Sequence, residues 1–193
     1  MPREGKARVL TEPEFNRIVR LQKTNRHAAR NTALLFMSFG LGLRAKELAA
    51  LSIADVLLPC NELKSTINLT SDKTKGGKQR HVYLSSTKVI PALSSYLTDK
   101  KRYSDHEPLF LSQKGGRFSP NSLQMLFARM YRDAGLDGAS SHSGRRTFAT
   151  RLIERGVDIK AVSRLMGHST ISMTAEYVED NPERLKKIAE VAI

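Results

Sequence analysis

Residues 141–178 read SHSGRRTFATRLIERGVDIKAVSRLMGHSTISMTAEYV. Gly156 and Gly167 each close a run of helical period, and Asp158 opens the second run as an N-cap. The stretch is therefore read as successive helices, with Ser169 in an N-cap position ahead of the last. It also carries reactive side chains at defined intervals. His142 and Arg145 are three residues apart, which places them on one helical turn. His168 directly follows Gly167, and Tyr177 comes nine residues later. Two readings of Tyr177 stand: a half-buried helix aromatic, or a nucleophile held toward a substrate.

Upstream, TEPEFNRIVRLQ starts an amphipathic helix with Thr11 as cap, Pro13 in the first turn, and Phe15, Ile18 and Val19 on one face. NTALLFMSFGLGL, residues 31–43, reads as a buried helix that ends at Gly40 or Gly42. RAKELAALSIADV resumes a helical period through Leu48 and Leu51. From Leu57 to Ser86 the texture changes. STINLT and RHVYLS alternate and hold β-branched and aromatic residues around SDKTKGGKQR, which predicts a small antiparallel sheet with a cationic hairpin tip. Helices return at Val89, Ile90, Leu93, Tyr96 and Leu97, and again in SPNSLQMLFARMYRDAGL, capped by Ser119 and stopped by Gly135. The last segment, PERLKKIAEVAI, presents Leu185, Ile188 and Val191 or Ala192 on one side. The fold class is mainly α with a small antiparallel β-sheet (α+β), in a single domain over residues 1–193.

Composition narrows the function. There are 32 Lys and Arg against 19 Asp and Glu, a formal net charge of +13. Such a surplus repels itself in a compact domain, so a polyanion is the natural partner: nucleic acid first, an anionic membrane surface second. Cys60 is the sole cysteine, which excludes an intrachain disulfide and suits a reducing compartment. The histidines at 27, 81, 106, 142 and 168 have no helical ligand spacing, and no Cys/His cluster offers a metal site. The N-terminus lacks the apolar stretch of a secretory signal. The longest uncharged run falls short of the roughly 20 residues of a membrane span. A cytoplasmic protein is the expectation.

Other candidates lie outside the opening stretch. Arg44 and Glu47 in GLRAKEL can meet on one helical face, either as a surface ion pair or as an arginine steadied to grip a phosphate. Lys73, Lys75, Lys78 and Arg80 in KTKGGKQR form either a solvated basic turn or a loop that delivers a cation to a DNA strand.

The order GLRxxEL, lysine hairpin, HxxR, GH, Tyr resembles the catalytic domain of the tyrosine recombinases, the phage-type integrases, from about residue 9 to 190. The resemblance implies that Arg44, Lys75, His142, Arg145 and His168 surround a DNA phosphate and that Tyr177 is the nucleophile. Lys78 replaces Lys75 if the register slips. Glu47 matches the acidic residue that supports the first arginine, and Lys73, Lys78, Arg80 and Arg146 are expected to face DNA. The implied activity is site-specific recombination through a 3′-phosphotyrosyl intermediate, giving integration, excision or inversion without a cofactor or metal. The implied partners are double-stranded DNA, three further copies of the chain joined through the C-terminal helix, and accessory DNA-bending proteins, in a bacterial nucleoid or on a phage or mobile element. Family members usually carry an N-terminal core-binding domain, which is expected to be absent here. Two alternatives remain: a type IB topoisomerase-like strand nicking-closing enzyme, and a non-catalytic DNA-binding regulator derived from an integrase.

Overall fold

A computed structural model describes residues 7–74, 79–99 and 104–177. Its order is α1 (Glu12–Gln22), α2 (Ala28–Leu41), α3 (Ala45–Ala50), α4 (Ile53–Val56), β1 (Thr66–Leu69), β2 (Arg80–Tyr83), α5 (Val89–Asp99), α6 (Pro120–Asp133), α7 (Ser143–Glu154), α8 (Ile159–Met166) and α9 (Ser172–Ala175). Helices dominate, and β1 and β2 pair antiparallel with Thr66 opposite Tyr83 and Leu69 opposite Arg80. The expected fold class is the one found. The C-terminal segment PERLKKIAEVAI lies outside the described residues, as do Lys75 and Lys78.

Caps explain most helix starts. Thr11 accepts from the Glu14 amide while Glu14 reaches back to the Thr11 amide, a reciprocal capping box. Ser119 caps α6 through the Ser122 amide, and Asp158 caps α8 through the Ala161 amide at 3.0 Å. Two details differ from expectation. The run after Arg44 breaks at Leu51, whose extended backbone separates α3 from α4, because Ser52 starts a new capping box with Asp55. Ser169 does not cap α9: Ile171 holds that position, and Ser169 is exposed with its hydroxyl on the Met173 sulfur.

The main core gathers α1 to α6 and the sheet around Leu34, Leu35, Leu48, Phe110 and Phe127. A smaller apolar cluster of Ala149, Ile153, Val162 and Met166 joins α7 to α8, with Tyr177 packed on its edge. Helix α7 is seated on α2 at Gly144. A Cβ there would stand 2.3 Å from Ser38 Oγ and 2.9 Å from the Phe39 ring. That seat brings Arg145 under the end of α2.

Candidate active site

Arg44 is the N-cap residue of α3, and Glu47 lies one turn in. Glu47 is fully buried, yet its carboxylate is densely paired. Oε2 accepts from the Arg44 amide at 2.8 Å and from Arg80 Nη2 at 2.7 Å, and Oε1 accepts from Arg44 Nη1 at 2.9 Å. Burial is the largest influence on this carboxyl and pushes its pKa up. The charge and hydrogen bond of Arg80, with the amide and charge of Arg44, outweigh it and hold the group below the usual carboxylate range.

Arg145 enters from the first turn of α7 and is 3% exposed. Its Nη1 donates to the Gly42 carbonyl at 2.7 Å, and its Nη2 donates to the Met166 carbonyl. These two bonds fix the guanidinium plane and leave other N–H groups available. Burial, then the charge of Arg44, pushes its pKa down to about 9, so it remains charged at neutral pH.

His168 follows the left-handed Gly167 (φ 61°) that ends α8. Its Nδ1 lies 2.8 Å from the buried Thr174 hydroxyl. Burial first, and then the charges of Arg145, Arg44 and Arg80, pushes its pKa down to about 4. The ring is neutral at physiological pH. It stacks nearly parallel on Tyr177, with centroids 5.7 Å apart and planes at 12°, and the Arg146 guanidinium stands 5.9 Å from the Tyr177 centroid.

Arg44, Glu47, Arg80, Arg145, His168 and Tyr177 therefore lie within electrostatic range of one another. Arg44 and Arg80 share the Glu47 carboxylate and the Arg145 guanidinium lies within its electrostatic range, so three guanidiniums stand against one carboxylate, a surplus of two positive charges at neutral pH. Such a site suits an anion with several oxygens.

Other expected residues are placed differently. His142 is the exposed N-cap of α7, so it shares a turn with Arg145 but not its buried environment. Arg80 is corrected: it is not on a DNA-facing tip but is buried, 7% exposed, on Glu47 and the Leu165 carbonyl. Lys73 is half-buried, with its ammonium paired to Asp55 at 2.5 Å. Thr174 and Lys46, which donates to the Thr74 carbonyl at 3.1 Å, were not anticipated. Among the described residues no group of His, Cys, Asp and Glu could hold a metal, and no helix is long and apolar enough to cross a membrane.

Residues 8–184 match the phage integrase family. The chain is 32% identical over 167 residues to tyrosine recombinase XerC of Pelobacter propionicus, covering 86% of this chain and 53% of that protein. It is 33% identical over 186 residues to tyrosine recombinase XerA of Pyrococcus horikoshii, covering 95% and 60%. It thus spans between half and two thirds of the length of these relatives. Among solved structures it superposes on XerA recombinase with a TM-score of 0.74 at 28% identity, over 94% of this chain and 63% of that one. It superposes on XerH site-specific recombinase bound to difH substrate, a pre-cleavage complex, with a TM-score of 0.70 at 25% identity, over 95% and 53%.

Proposed function

The chain belongs to the phage integrase family, with the fold of a tyrosine recombinase catalytic domain, and from that premise we propose that it cuts and rejoins DNA with Tyr177 as nucleophile. The observation that carries this reading is the gathering of Arg44, Arg145 and His168 around one cationic pocket with Tyr177 stacked at its edge.

In the proposed step the Tyr177 phenolic oxygen attacks the phosphorus of a phosphodiester. A phosphorus–oxygen bond forms to Tyr177 as the bond to the 5′-oxygen breaks, leaving a 3′-phosphotyrosyl link and a free 5′-hydroxyl. A free phenol has a pKa of about 10, so its proton must be drawn off, and His142 is assigned that transfer. Lys75, outside the described residues, protonates the departing 5′-oxygen. Arg44 and Arg145 bind the non-bridging oxygens as charge builds on them. Preorganised donors of this kind contribute about 2.7–4 kcal/mol each. Neutral His168 adds a hydrogen bond to the same phosphate. One phosphate ester replaces another, so the reverse reaction rejoins a strand without an energy source. Lys78 and Arg146 are assigned to DNA contact. Recombination requires four strand cuts, so four copies assemble on two duplexes through their C-terminal segments, with DNA-bending proteins as accessories, in the cytoplasm.

The test uses a nicked duplex library with randomised sequence. The wild-type protein is expected to form a DNA adduct that survives denaturing electrophoresis, and Tyr177→Phe is expected to form none. An adduct that persists in Tyr177→Phe refutes the assignment of the nucleophile. Wild-type protein that captures no duplex refutes the enzymatic reading. Captured duplexes that yield relaxed plasmid but no recombinants convert it to a nicking-closing enzyme.

A further inference from the structure

We propose that Arg80 is a positioning residue of this reaction, holding Arg44 and His168 in register from beneath the site without touching DNA. The inference rests on the recombinase reading above. Three directions of one guanidinium are committed inside the protein. Nη2 donates to Glu47 Oε2 at 2.7 Å, Nε to Glu47 Oε1 at 3.4 Å, and Nη1 to the Leu165 carbonyl at 2.7 Å. The Arg80 side chain is 6% exposed.

Each contact leads to a reacting group. Glu47 holds the backbone and the guanidinium of Arg44 with its two oxygens. Leu165 lies in the last turn of α8, three residues before His168. Carbonyls at a helix end lack intrahelical partners. Here Arg80 takes Leu165 and Arg145 takes Met166, so two cations close the negative end of α8. The His168 amide in turn bonds the Ser163 carbonyl, which continues the same termination into the histidine. The aliphatic part of Arg80 lies against Gly167 so closely that a Cβ there would stand 2.4 Å from Arg80 Cδ. Strand β2, the start of α3 and the end of α8 therefore meet on this one side chain. An ammonium cannot reproduce it, because a point charge lacks the fixed fork that serves a carboxylate and a carbonyl together.

The test uses a nicked duplex captured by the wild-type protein from the randomised library. Arg80→Lys is expected to slow single-turnover adduct formation on the order of 100-fold, the scale of a small misplacement of reacting groups. Its DNA dissociation constant and the salt dependence of that constant are expected to match wild type. A phosphate contact would instead lower the salt slope by about one in Arg80→Gln, which removes the charge that Arg80→Lys keeps. Glu47→Gln, alone and with Arg80→Lys, supplies the second measurement. If Arg80 acts through Glu47, the double variant loses little more than the worse single one. Urea denaturation checks that each variant is folded, and Arg80→Gln replaces Arg80→Lys if the latter is not. Wild-type cleavage rates in the folded Arg80 variant, a reduced salt slope, or losses that simply multiply in the double variant each overturn the inference while leaving the recombinase reading intact. Failure of wild-type protein to form any adduct overturns the reading itself, and this inference with it.

Discussion

At His168, burial and three guanidiniums act in the same direction, against the charged ring. The folded pKa is about 4, below the ordinary 6.5. Between those values the unfolded chain binds a proton at this ring and the folded chain does not, so stability rises with pH across that window. The penalty is complete below about 4 and absent above 6.5. Glu47 has the same sign at more acid pH: its depressed carboxyl contributes stability that is lost as pH falls below the ordinary 4.5. Replacing His168 by Asn removes only the first of these. The variant is expected to show a flatter dependence of unfolding free energy on pH between about 4 and 6.5 than wild type, measured by urea titration. Wild-type and variant curves of equal slope there would show that the native ring is not held neutral. Arg80 shows what a residue-level reading can miss. Counting charges put it with the hairpin lysines, but the strand period in RHVYL puts it on the same face as Val82 and Leu84, both buried. The parity was present in the sequence; the buried carboxylate that makes an inward arginine stable was not visible, because Glu47 lies 33 residues away.

At the scale of elements, local signals carried the helix ends and strand pairing, because caps and turn residues act within a few positions. Thr11, Ser119 and Asp158 cap as their types require. The break between α3 and α4 was masked by Leu48 and Leu51, which keep a helical spacing although both face the core across a change of backbone direction. The seating of α7 on α2 was also hidden, since it depends on a contact between distant segments. Gly144→Ala tests that seat. The added methyl must displace Ser38 Oγ or the Phe39 ring, and overpacking of this kind costs about 1–3 kcal/mol. The shift falls next to Arg145, whose two carbonyl partners lie on α8 and just beyond α2. Gly144→Ala is therefore expected to lower both the urea midpoint and the rate of adduct formation. An unchanged midpoint would mean that α7 is not held against α2 at this glycine.

For the whole molecule, the formal charge of +13 and the pocket's own charge have separable consequences. With 32 Lys and Arg against 19 Asp and Glu, 13 cations exceed what the chain's own carboxylates can neutralise. Solvated cations release condensed counterions from a duplex on contact, which makes affinity steeply dependent on salt and indifferent to sequence. A protein that neutralises six or more phosphates loses about 10³-fold or more in affinity between 50 and 200 mM salt. Binding of a random duplex by this chain is expected to fall by at least that factor, measured by fluorescence anisotropy. Tyr177→Phe removes one hydroxyl and leaves every Lys and Arg in place, so it is expected to leave that salt dependence unchanged while adduct formation disappears. Affinity that changes little over the same salt range would mean that the excess charge is not arranged on a surface a duplex can reach. The cationic pocket would then have to recruit its phosphate by local contacts alone, and two surplus charges are too few to hold a duplex at physiological salt.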